Sequence, residues 1–94
     1  KNLTFEKPNI NLMDSINLSY YVLKKGGSYP LIFNTANEVA VSFFLKKKIK
    51  FLDILKIIKK ILSKSENYKI NTVDDIYSID KKIRILTKEY IMNR

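Results

Sequence analysis

Apolar residues recur every three or four positions through most of this chain, which puts them on one side of a helix rather than one face of a strand. The widest such stripe is Ile54, Leu55, Ile58, Ile61 and Leu62, with Lys56, Lys59 and Lys60 on the opposite side. Ile76, Ile79, Ile83, Leu86 and Tyr90 repeat the pattern further on. Ile16, Tyr20 and Leu23 make a shorter stripe, and Val39, Ala40, Phe43 and Phe44 a broader one. Four amphipathic segments in 94 residues, joined by short polar connections, predict a small all-α four-helix bundle around one core.

The ends of these segments carry helix signals. Asp14 is placed to accept hydrogen bonds from the free amides of a first turn. Lys24 and Lys25 suit the negative end of that helix, and Gly26, followed by Gly27, supplies the left-handed residue that closes one. The second helix has two candidate starts. Pro30 fits a first turn, where its missing amide costs nothing, while Thr35 with Glu38 has the spacing of a capping box. Residues 48–50 interrupt the pattern, and the third helix begins at Phe51. A polar loop over 63–71 follows. Thr72 then reads as an N-cap, with Asp75 three residues on and Asp74 also in the positive first turn.

Residues 1–12 do not fit the helical pattern. Leu3 and Phe5 alternate with Asn2, Thr4 and Glu6, the period of a short strand, and Pro8 stops the run. A strand needs a sheet, and nothing else in the chain alternates well enough to provide one. The expected organisation is therefore an extended lead over 1–12, either floppy or a strand whose partners lie in other polypeptide, and a bundle domain over 13–94. A first residue of Lys1 rather than Met fits a piece of a longer protein.

The inventory of reactive groups is short. There is no Cys and no His, which removes disulfides, thiol nucleophiles, and the commonest general base and metal ligand. Ser15, Ser19 and Ser42 have no base beside them. Asp74 and Asp75 are neighbours whose side chains diverge on a helix, so dipole complementation accounts for them better than a metal does. Gly26-Gly27 lacks the Gly-Lys-Ser/Thr ending of a phosphate loop. No run approaches the roughly 20 apolar residues of a membrane span.

Eighteen basic residues against nine acidic ones give a net charge of +9, which favours polyanions in general. Only Arg84 and Arg94 of the eighteen are Arg, the residue best suited to bidentate phosphate and base recognition. The densest run, Lys46 to Lys48 with Lys50, reads as a solvated helix end. Phe43-Phe44 reads as core rather than as a base-stacking platform. Taken alone, these residues describe a scaffold or interaction module without catalytic groups. A small basic helical module that binds nucleic acid or a protein partner is the alternative.

One block is more specific. Asn34-Thr35-Ala36-Asn37-Glu38-Val39-Ala40-Val41, then Phe44-Leu45, then Ile49-Lys50-Phe51 and Asp53-Ile54, resembles the C-terminal region of the 1-deoxy-D-xylulose 5-phosphate reductoisomerases. Leu3-Thr4-Phe5 with Pro8, Gly26-Gly27, and Val73-Asp74-Asp75-Ile76 with Asp80 match in the same order, so the resemblance covers essentially the whole chain. Departures fall at Met13-Asp14, where the family has an aromatic-Pro pair, at Thr35 in place of Ala, and at Leu52 in place of the Ser/Thr expected to cap the third helix.

The resemblance implies a parent enzyme that rearranges 1-deoxy-D-xylulose 5-phosphate and reduces it with NADPH to 2-C-methyl-D-erythritol 4-phosphate, an isoprenoid precursor. It implies Mg²⁺ or Mn²⁺ on the substrate oxygens and a homodimeric parent, cytoplasmic in bacteria and plastid-targeted in plants and apicomplexans. The nucleotide, metal and substrate residues of that family lie upstream, so no catalytic, cofactor-binding or metal-binding residue is carried over to this chain. The implied role is a helical domain that packs on the nucleotide-binding and catalytic domains. Its candidate interdomain contacts are Leu3, Phe5, Asn34, Asn37 and Glu38, the asparagines because they are poor helix formers unless their amides are used.

Overall fold

The computed structural model describes the backbone of residues 6–94 and the side chains of residues 15–94. Four helices follow in order: α1 (Glu6–Lys25), α2 (Tyr29–Leu45), α3 (Phe51–Lys64) and α4 (Val73–Met92). The described residues are all-α. α1 begins at Glu6, upstream of the expected Asp14 start, and so takes in part of the stretch expected to be extended. Pro8 then falls in its first turn, where a missing amide breaks no helix bond. Leu3 and Phe5 lie outside the described residues.

α2 is the central element. It packs against both α3 and α4, and α1 lies across α2 and α3. The core comprises Leu18 and Val22 of α1, Ile32, Ala36, Val39 and Ala40 of α2, Ile57, Ile58, Ile61 and Leu62 of α3, and Ile79, Ile83 and Ile91 of α4. The stripes read on α3 and α4 largely turn inward. On α1 the face is corrected: Leu18 and Val22 are buried, while Ile16, Tyr20 and Leu23 face solvent. Both sets have helical spacing, so periodicity alone could not choose between them.

The connection between α1 and α2 is fixed by backbone geometry. Gly26 and Gly27 are both left-handed, at φ +64° and +60°. A Cβ on Gly27 would run into the Asn67 side-chain amide. Ser28 is fully buried and ties this turn to the α3–α4 loop. Its amide donates to Asn67 Oδ1 (2.9 Å), and its hydroxyl accepts from the Tyr68 amide (2.8 Å). That hydroxyl is thus engaged and does not cap α2. Pro30 lies in the first turn of α2, as one of the two candidate starts required. Thr35 is therefore interior to the helix, and the Thr35–Glu38 capping box is not formed.

α2 ends with Lys47 at φ +62°. The Lys47 amide donates to Phe44 O and the Lys48 amide to Phe43 O, both at 2.9 Å, the paired bonds of a Schellman closure. α3 does have a cap, despite Leu52. Asp53, three residues into the helix, accepts from the Lys50 amide at 2.9 Å. At α4 the expected capping box is present: the Asp75 amide donates to Thr72 Oγ1, and the Thr72 and Asn71 amides donate to Asp75 Oδ2. Those amides hold the Asp75 carboxyl below its ordinary value of 3.8.

Candidate functional site

The candidate site stands on α2. Glu38 is the only charged side chain between Tyr29 and Leu45. So little charge on a helix fits one that neighbours cover on more than one side. Its neighbours in this chain cover Ile32, Ala36, Val39 and Ala40. The opposite side presents Asn34, Asn37 and Val41, at the three- and four-residue steps that align side chains along one face.

This face opens on a groove of about 230 Å³ between α2 and α3. Phe33, Asn37 and Val41 line it from α2, and Phe51, Leu52 and Leu55 from α3, with Ser15 of α1 at one edge. Phe51 and Leu52 are 65% and 47% exposed, high for large apolar side chains. The Phe51 ring meets the Phe44 ring edge-on at 5.7 Å, so the lip of the groove has a fixed shape. Asn37 is half-buried at the groove wall. Asn34 is exposed beside a second, shallower recess between α1 and α2. Among the described residues neither asparagine side chain makes a hydrogen bond.

Glu38 points to the other flank of α2 and is engaged within the chain. Arg84 of α4 donates through Nη1 to Glu38 Oε1 (2.9 Å) and through Nε to Asp80 Oδ2 (2.8 Å). Buried Thr35 completes the network, donating through Oγ1 to Asp80 Oδ1 at 2.7 Å. Burial raises the Asp80 carboxyl, but the Arg84 and Thr35 hydrogen bonds outweigh it and hold the group below 3.8. Glu38 and then Asp80 raise the Arg84 guanidinium above its ordinary value. Two residues of the Asn-Thr-Ala-Asn-Glu block, Thr35 and Glu38, therefore fasten α2 to α4. The other two polar ones turn elsewhere, Asn37 to the α2–α3 groove and Asn34 to solvent.

Two further carboxylates, Asp53 and Asp75, are committed to helix caps. Asp53 serves its cap and pairs with Arg94 Nη2 at 3.3 Å; the Lys50 amide, then Arg94, keep its carboxyl below 3.8. Among the described residues no three Asp or Glu side chains come together as a metal-binding group. Three lysines stand over tyrosine rings in separate places: Lys25 over Tyr21 at 5.7 Å, Lys64 over Tyr90 at 5.1 Å and Lys82 over Tyr68 at 4.7 Å. Sequence reasoning did not single out Phe51, Leu52 or Val41 as site residues. The signal that points to them is the lack of charge along α2, which needs a neighbour on its outer side.

The sequence model of the DXP reductoisomerase C-terminal domain matches residues 1–86. This chain belongs to that family. The 1-deoxy-D-xylulose 5-phosphate reductoisomerase of Clostridium novyi (strain NT) is 44% identical over 87 residues, spanning 93% of this chain and 23% of the relative. That of Thermoanaerobacter pseudethanolicus is 41% identical over 90 residues, 95% of this chain and 24% of the relative. A solved structure, the reductoisomerase from Zymomonas mobilis in complex with NADPH, superposes with a TM-score of 0.77 at 39% identity over 80% of this chain and 20% of that one. The chain thus spans about a quarter of the length of the curated relatives it matches. Among the described residues no helix is long and apolar enough to cross a membrane.

Proposed function

We propose that this chain is the C-terminal helical domain of an NADPH-dependent enzyme converting 1-deoxy-D-xylulose 5-phosphate to 2-C-methyl-D-erythritol 4-phosphate. In this reading it braces the polypeptide that handles nucleotide, sugar and metal, and contributes no reacting group of its own. The observation that carries it is the outer face of α2: an uncharged helix surface with two Asn amides that make no hydrogen bond among the described residues and an apolar groove, in a family whose members are about four times as long. Among the described residues Glu38, Asp53, Asp75 and Asp80 already serve Arg84, Arg94 or backbone amides, and no three Asp or Glu side chains gather to suit Mg²⁺ or Mn²⁺. Metal and NADPH belong to the nucleotide-binding and catalytic domains that precede this chain.

Within that arrangement residues 1–12 form the lead from the catalytic domain, and Leu3 and Phe5 join contacts on its side. Asn34 and Asn37 meet it from α2, with Glu38 at the rim. The assembled enzyme is a homodimer, and a bacterial one works in the cytoplasm. The test is an NADPH-oxidation assay with 1-deoxy-D-xylulose 5-phosphate on three proteins: the longer chain, the longer chain lacking 13–94, and the 94-residue chain. The expected result is turnover by the first alone. Turnover by the 94-residue chain, or full activity without it, would overturn the proposal.

A further inference from the structure

We propose that the α2–α3 groove seats one large apolar side chain of the polypeptide preceding this chain in the full-length enzyme, and that Asn37 at its wall binds the backbone beside that side chain. This rests on the reading that the chain is the C-terminal domain of the reductoisomerase, and it names the contact. A cavity of about 150 Å³ accommodates a benzene molecule, so a groove of about 230 Å³ has room for one aromatic ring or one branched aliphatic side chain. Among the described residues its lining is apolar apart from Ser15 and Asn37 and carries no charged group, so they offer a charged or phosphorylated occupant no compensation for its lost hydration.

The one amide in that lining sets the rest of the occupant. An Asn side chain offers an acceptor and donors together, the complement of a peptide unit's N–H and C=O. The Asn37 amide has no hydrogen bond among the described residues, and Asn in a helix interior is a cost unless its amide is used. A large side chain in the groove brings its own backbone to the groove wall, where Asn37 stands. Glu38, one residue on, is excluded from this contact by its bond to Arg84. The occupant is assigned to the preceding polypeptide because the relatives place about three quarters of their length outside this domain, and the domain is their C-terminal one.

The experiment is single-cysteine labelling with a maleimide, in the longer chain and in the 94-residue chain, which has no cysteine of its own. Leu52→Cys and Asn37→Cys report on the groove. Tyr20→Cys and Tyr77→Cys, 71% and 70% exposed on α1 and α4, report on other faces. Circular dichroism checks that each variant folds, and of the two groove positions Leu52, already half-exposed, is the less able to disturb the bundle. The expected result is labelling at Leu52→Cys and Asn37→Cys slowed about tenfold or more in the longer chain and fast in the 94-residue chain. Fast groove labelling in both, with Tyr20→Cys or Tyr77→Cys slowed in the longer chain, would overturn this inference and leave the domain reading standing. Fast labelling at all four positions in the longer chain would overturn both. Slow groove labelling in the 94-residue chain as well would overturn the inference, assigning the groove to residues 1–14 or, where protection rises with concentration, to a second copy.

Discussion

At the scale of single residues, two positions on α2 show local cost and assembly pulling in opposite directions. Asn37 lowers helix propensity and has no partner among the described residues. Asn37→Ala is expected to stabilise the 94-residue chain by about 0.5 kcal/mol in urea unfolding, the difference between Asn and Ala in a helix. The same variant should bind the preceding catalytic polypeptide more weakly in calorimetric titration; equal affinity would show that the amide has no role there. Lys47 presents a separate case, because it holds φ +62°, where a side chain is strained and Gly is not. Lys47→Gly should raise stability by about 0.5–1 kcal/mol, and a loss would mean that the lysine side chain makes up for its backbone. Neither effect is visible in the sequence. Asn37 reads as an anomaly there, but its direction depends on which side of α2 the neighbours cover. Lys47 reads as one lysine in a run of three.

The elements themselves were largely legible, because four apolar stripes and the Thr72–Asp75 box depend only on local spacing. What local spacing could not settle was a choice between equivalent options. α1 carries apolar residues on more than one face, and packing against α2 and α3 selected Leu18 and Val22 over Ile16, Tyr20 and Leu23. Thr35 and Glu38 have capping-box spacing, yet both face α4, and contacts 45 and 46 residues away in sequence decide their use. Those contacts make a prediction about the α2–α4 pair. Thr35→Val removes a buried donor from a carboxylate and should cost about 1–2 kcal/mol in urea unfolding, with little change in helix content. The Asp80 carboxyl titrates below 3.8 in the fold and near 3.8 when unfolded. Its contribution is therefore fully present above about pH 4 and lost as pH falls through the lowered folded value. Comparing unfolding at pH 3 and pH 6, Asp80→Asn should lose less stability than the parent between the two; an identical loss would place the acid sensitivity elsewhere.

At the scale of the whole molecule, the described residues close the bundle on one side of α2 and leave a groove on the other. Ser28 and Asn67 join the two loops at one end, and Arg84 joins α2 to α4, so the helices form a unit with a defined outer surface. On that surface Asn34 and Asn37, without hydrogen bonds among the described residues, lie near the Phe51–Leu52 lip. The sequence carried the family resemblance in the Asn34–Glu38 block but not the division of labour within it, because that division depends on which neighbours each residue meets. The account predicts that the missing neighbour is the catalytic polypeptide and that it covers α2. Hydrogen–deuterium exchange measured by mass spectrometry on the longer chain and on the 94-residue chain tests this directly. Amides of α2 should exchange more slowly in the longer chain, with those at the start of α4 little changed. Equal exchange across α2 in the two proteins would contradict it.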